Sequence, residues 1–221
     1  MRAKELITDN VPVLKPEDKG QTALNWMDML KVSHLPVVKE EEYLGLISDK
    51  IIYDLNLTEE SIEKQVIQLH SPHIHEDKHI FEAASVMYNL GLTVLPVLNE
   101  ANSYVGTITL TDIWKGIASL LSLNEPGGII ILNVPEHNFS LSEISQIVES
   151  NDTRILSLVT HKPSGSEVLN ITLKLDRVDL SAVLQTFERY SYQVASVFMD
   201  DSLLHDLYED RLEQFLRYLN I

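Results

Sequence analysis

HLPVV at residues 34–38 with YLGLIS at 43–48, and VLPVL at 94–98 with YVGTITLTDI at 104–113, decide the fold, because the second pair repeats the first. At an offset of 60, Leu35-Pro36-Val37 falls on Leu95-Pro96-Val97, and working outward Pro12 falls on Pro72, Ala23 on Ala83, Met27 on Met87 and Leu30 on Leu90. One extra residue near Ser103 moves the offset to 61, after which Tyr43 pairs with Tyr104, Gly45 with Gly106, Ile47 with Ile108 and Ser48 with Thr109. An insertion there fits a turn between strands.

Each copy has the same reading. Residues 21–31 and 80–90 show the three-to-four spacing of an amphipathic helix, with Ala23, Met27 and Leu30 matched by Ala83, Met87 and Leu90. The apolar runs at 34–38 and 94–98 have strand length, a second strand follows each, and another helix then begins. The order is short strand, helix, strand, strand, helix, twice, which predicts two half-modules about a pseudo-twofold axis with residues 56–68 connecting them.

The residues LPVV…YLGLIS and LPVL…YVGTITLTDI resemble a tandem pair of CBS domains, the Bateman module, over roughly residues 1–122. The resemblance implies a first domain at 1–57 and a second at 58–124. It also implies a cleft between the copies that in many relatives takes an adenosyl compound such as AMP, ADP, ATP or S-adenosylmethionine.

Thr109 ends a strand and Asp112 follows in the first turn of the next helix, so both face that cleft. A carboxylate there can accept from a ribose diol, while a hydroxyl and free helix N–H groups meet phosphate oxygens. Leu95 and Pro96 can flank a base. The resemblance gives Thr109 and Asp112 the sugar and phosphate roles and puts His73 at the cleft edge. The same Thr-x-x-Asp spacing is also a helix capping box, which stabilises a helix start and binds nothing. The first copy reads Gly45-Leu46-Ile47-Ser48-Asp49-Lys50-Ile51, so Ile51 stands at the carboxylate position and Asp49 comes two residues early. At most one site of the family type is expected, in the second copy. His73 and His75, at i and i+2, have a spacing that permits joint metal ligation, but an exposed turn explains them as well, and no metal is expected. Trp26 and Trp114 lie among apolar residues of helical stretches and are expected to pack in the core or between modules.

After SLNEPGG at 122–128 the pattern changes, and a domain boundary is expected there. GIIILNV at 128–134 reads as a strand. Ser140-Leu141-Ser142-Glu143 opens a helix with Leu141, Ile144, Ile147 and Val148 on one face. Strands at 154–160 and 168–175, a helix begun by Asp179 and carrying Leu180, Val183, Leu184, Phe187 and Tyr190, and a strand at 193–198 complete βαββαβ. Residues 128–199 therefore resemble an ACT domain, a regulatory module that in many relatives binds an amino acid at a dimer interface. The segment Asn133-Val134-Pro135-Glu136 lacks the Gly of the usual ligand turn, so a dimerisation or signal-receiving role is expected instead. Residues 200–221 place Leu204, Tyr208, Leu212, Phe215 and Leu219 at helical spacing and predict an amphipathic C-terminal helix.

The fold class is thus α+β: tandem CBS domains, a ferredoxin-like ACT-type domain and a terminal helix, similar over its length to the acetoin-utilisation type of bacterial CBS/ACT proteins. The 221 residues carry 17 Lys and Arg against 33 Asp and Glu, a net charge of −16 that repels nucleic acid and anionic lipid. There is no Cys, which excludes thiolate chemistry, disulfides and Cys-ligated zinc. No stretch approaches the ~18 apolar residues of a membrane span and the start lacks a secretion signal, so a cytoplasmic protein is expected. No Walker, GxSxG, HExxH or GxGxxG signature occurs, and no enzyme is expected. Two functions remain: a sensor of an adenosyl nucleotide acting on its own ACT-like part or a partner protein, as a homodimer; or a scaffold whose CBS cleft is degenerate.

Overall fold

In the computed structural model, which describes residues 1–199, the duplicated spacing becomes duplicated structure. Helix α1 (Gly20–Leu30) buries Gly20, Ala23 and Met27, and helix α3 (Ile80–Leu90) buries Ile80, Ala83 and Met87, the same three positions 60 residues on. Each helix ends in a left-handed residue, Lys31 at φ 56° and Gly91 at φ 63°. The next N–H then reaches back into the last turn, Val32 to Met27 O and Leu92 to Met87 O.

Two antiparallel hairpins follow the two helices. Strand β1 (His34–Lys39) pairs with β2 (Glu42–Ser48), and β4 (Val94–Leu98) pairs with β5 (Tyr104–Thr109), with register shifts at the equivalent sites Val37/Val38 and Val97/Leu98. The short strand expected before each first helix forms in the second copy as β3 (Ile74–His75), parallel to β4. In the first copy it is reduced to one parallel bridge, Leu14 to Val37. Helices α2 (Asp49–Asp54) and α4 (Leu110–Leu120) close the copies. One continuous core joins both, built from Leu35, Val37, Ile47 and Ile52 of the first copy and Val94, Leu95, Val97 and Ile108 of the second.

The segments entering each copy are exchanged. Thr8 N–H donates to Thr107 O of β5 at 3.0 Å, and Leu46 N–H of β2 donates to His70 O at 2.9 Å. Each strap lies close because a glycine is beneath it. A Cβ on Gly106 would stand 2.3 Å from Ile7 Cγ2, and one on Gly45 would stand 2.5 Å from Leu69 Cβ. Both glycines have φ of 152°.

The contacts divide the chain at Ile117/Ala118. In the second unit, β6 (Ile129–Pro135), α5 (Leu141–Glu149), β7 (Ile155–His161), β8 (Val168–Leu175), α6 (Ser181–Arg189) and β9 (Gln193–Phe198) follow the order βαββαβ. The sheet order is β7-β8-β6-β9, all antiparallel, the ferredoxin-like topology. Alternation on β6 and β8 sends Ile130, Leu132, Val134, Ile171, Leu173 and Leu175 to one face, where α5 and α6 cover them with Ile144, Ile147, Val148, Val183, Leu184 and Phe187. Ser140 Oγ accepts from Glu143 N–H at the start of α5, and Asp179 Oδ1 accepts from Ser181 N–H at the start of α6. The helix expected at 200–221 lies outside the described residues.

Candidate functional site

Strand β5 delivers Thr109 to the first position before α4, and there the side chains of Thr109 and Asp112 lock onto each other. Thr109 Oγ1 donates to Asp112 Oδ2 at 2.5 Å, Thr109 N–H donates to the same oxygen at 3.0 Å, and Asp112 N–H donates to Thr109 Oγ1 at 3.2 Å. The capping box is therefore formed. It occupies one carboxylate oxygen; Oδ1 has no hydrogen bond among the described residues and is left for a second task.

This helix start forms part of the wall of a cavity of about 1040 Å³, at the upper end of what small-molecule sites enclose. Thr8, Asn10 and Val11 come from the first strap. Leu30, Lys31 and Val32 come from the end of α1, so the first copy contributes to the cavity of the second. Met87, Tyr88, Leu92 and Thr93 supply a wall from α3 and the turn after it, and Thr109 to Lys115 with Ile117 supply the other. The strap is held by the buried Thr107, whose carbonyl takes the Thr8 N–H and whose hydroxyl meets Tyr104 OH at 2.7 Å. Burial of Tyr104 itself raises its phenol above the usual range, the Thr107 hydrogen bond opposing the rise.

Of the five residues singled out from sequence, Thr109 and Asp112 line the cavity. Leu95, Pro96 and His73 are not among its lining residues. Leu95 is fully buried in the core on β4, and Pro96 is buried beside it. His73 is exposed, on the strap of the first copy, with its ring edge-on to His75 at 5.6 Å and to Tyr43 at 6.4 Å. The exchange of straps explains its location: the segment that reaches the second copy's site is 6–11, and 69–73 serves the first copy. No group of three or more His, Cys, Asp or Glu that could hold a metal occurs among the described residues. The tryptophans depart from expectation. Ile113 and Gly116 take the core side of α4, and Trp114, one position round the helix from Ile113, is 65% exposed on the cavity rim. Trp26 is also exposed on α1. Thr8, Asn10, Thr93 and Lys115 were missed from sequence; only Thr93 carried a signal, being the repeat partner of Ser33.

The first copy is built differently at the matching helix start. Ser48 Oγ accepts from Ile51 N–H at 3.2 Å, and the Asp49 carboxylate turns back to Lys50 N–H at 2.6 Å. Ile51 packs against the core. The copies are stitched together nearby: Thr93 Oγ1 accepts from Ser33 N–H at 2.9 Å and lies 3.1 Å from His34 Nδ1.

Two like α+β units, each with a capped helix start, and one cavity to which both contribute define a duplicated module. Residues 3–55 and 64–113 match the CBS domain family, and the chain is a tandem CBS-domain protein. Over 117 residues, 52% of this chain, it is 32% identical to inosine-5'-monophosphate dehydrogenase of Methanocaldococcus jannaschii. The match takes in 23% of that protein, and the chain spans 23–29% of the length of the curated relatives it matches. Among solved structures, a CBS domain pair/ACT domain protein from Thermotoga maritima is similar, with 21% identity, TM-score 0.48, and coverage of 55% of this chain and 99% of that one. CBSX2 in complex with AMP is similar at 18% identity and TM-score 0.46, covering 53% of this chain and 96% of that one. No helix among the described residues is long and apolar enough to cross a membrane.

Proposed function

We propose that this protein is a regulatory sensor that binds an adenosyl nucleotide in its CBS-pair cleft. The observation that carries the reading is the free Oδ1 of Asp112 at the wall of a large cavity shared by both copies. Asp112 accepts from the ribose diol through Oδ1 while Thr109 holds the carboxylate in place, the positive dipole end of α4 favours the phosphate side, and the exposed ring of Trp114 offers a face to the base. The ligand is one of AMP, ADP, ATP and S-adenosylmethionine. Because the cavity takes residues from both copies, occupancy biases their relative setting. The βαββαβ unit, read as an ACT-like domain, receives that bias as a dimerisation element or passes it to a partner protein. The role is non-catalytic and cytoplasmic.

Thermal shift with these nucleotides tests the reading. A ligand at 100 times its dissociation constant stabilises by about 2.7 kcal/mol, a shift on the order of 5–10 °C for a chain of this size. At least one compound should give such a shift, and D112A should remove it. A flat response to all of them favours a scaffold with a degenerate cleft.

A further inference from the structure

Three charged residues line the cavity: Lys31, Asp112 and Lys115. Their pairings are unequal. Lys31 Nζ is held at 2.8 Å by the Asp28 carboxylate, one turn back on α1. Asp112 spends one oxygen on Thr109. Lys115 is exposed and makes no hydrogen bond or ion pair among the described residues. It follows Asp112 by three positions, so the ammonium and the carboxylate are neighbours on the surface of α4.

Resting on the nucleotide reading above, we infer that the cavity selects a nucleoside monophosphate, with Lys115 as the phosphate partner and the residue that sets the preference. A phosphate monoester carries about −1.5 to −2 near neutral pH, and one unpaired ammonium at the dipole-positive start of α4 matches it. A triphosphate brings roughly twice that charge. The second lysine is paired with Asp28, and residues 1–117, the unit that holds the site, carry 10 Lys and Arg against 18 Asp and Glu, a net −8. Each phosphate after the first therefore has to compete with Asp28 for a cation and enters against the negative charge of its own unit. An uncharged nucleoside leaves the ammonium without an anion and gains nothing from it.

Isothermal titration of the full chain with adenosine, AMP, ADP, ATP and S-adenosylmethionine at about 0.15 M salt tests this, at an ionic strength that screens distant charges. AMP should bind at least about tenfold tighter than adenosine and than ATP, the size expected of one charge-assisted contact. K115M should cost AMP about tenfold and adenosine far less, closing the gap between them. ATP or S-adenosylmethionine binding as tightly as AMP overturns the inference and leaves the nucleotide reading standing. So does K115M weakening adenosine and AMP equally. Absence of binding by all five compounds overturns both.

Discussion

In the second CBS copy the helix start at Thr109 holds a carboxylate with one oxygen to spare, on the wall of a cavity; in the first, the matching helix start at Ser48 is followed by Ile51, packed against the core. The backbone treatment is otherwise alike, down to the capping hydroxyl, the left-handed end of the first helix and a glycine under each strap. The lesson is that the fold needs a hydroxyl before the helix, whereas the carboxylate three residues on is surplus to it. Ser48 caps α2 without one, whereas Asp112 closes the box through Oδ2 and keeps Oδ1 free of hydrogen bonds among the described residues.

The largest expected effect comes from the straps, where the copies agree. With a Cβ at 2.3 Å from Ile7 or 2.5 Å from Leu69 and φ of 152°, alanine at Gly106 or Gly45 combines overpacking with backbone strain, each about 1–3 kcal/mol. G106A and G45A should each lower Tm by on the order of 5–15 °C in a calorimetric scan. The copies should separate in binding. The strap over Gly106 carries Thr8, Asn10 and Val11 into the cavity, so only G106A should also weaken nucleotide binding. Equal binding losses in the two variants would mean that the cavity is not where the nucleotide sits.

A smaller effect tests the point where the copies differ. I51D installs the carboxylate in the first copy, at a position that packs against the core, and should cost about 1–3 kcal/mol for the buried polar group. Titration should still give one nucleotide per chain, because Ile51 packs against the core and does not line the cavity that Asp112 lines. A second equivalent of bound nucleotide would show that the missing acid alone silences the first copy.

The repeat was legible because it is written in apolar spacing and in the glycine and proline positions that recur at 60 and 61. Those set helices, strands and pairing locally. The βαββαβ order of the second unit was legible for the same reason: the alternation of Ile171, Leu173 and Leu175 with polar residues fixes one buried face. What remained hidden depends on which segment crosses to which copy. His73 and the 6–11 strap hold comparable places in their own repeats, and nothing in local pattern says that each lies against the other copy's strands. Exposure of Trp114 was hidden too, since apolar neighbours on a helix do not reveal which of them the core takes until Ile113 and Gly116 are seen to occupy that side.

The smallest expected effect lies at the stitch between the copies. His34 Nδ1 accepts from Thr93 N–H at 3.4 Å and sits 3.1 Å from Thr93 Oγ1, which also takes Ser33 N–H. Burial lowers its pKa, partly offset by the Asp49 carboxylate. A depressed folded value means that above about pH 6.5 neither folded nor unfolded chain protonates this ring, and its contribution to stability is fully present. As pH falls through that value the unfolded chain takes the proton first, so stability declines until the folded ring protonates as well. Because the side chain is partly exposed, solvent screening holds the change to roughly a few tenths of a kcal/mol. The measurement is the stability of wild type minus that of H34Q between about pH 5 and 7.5, which cancels the carboxylates common to both. The difference should shrink toward acid. A difference that grows toward acid would mean that Asp49, and not burial, governs the ring, and that the copies are held together by a charged histidine.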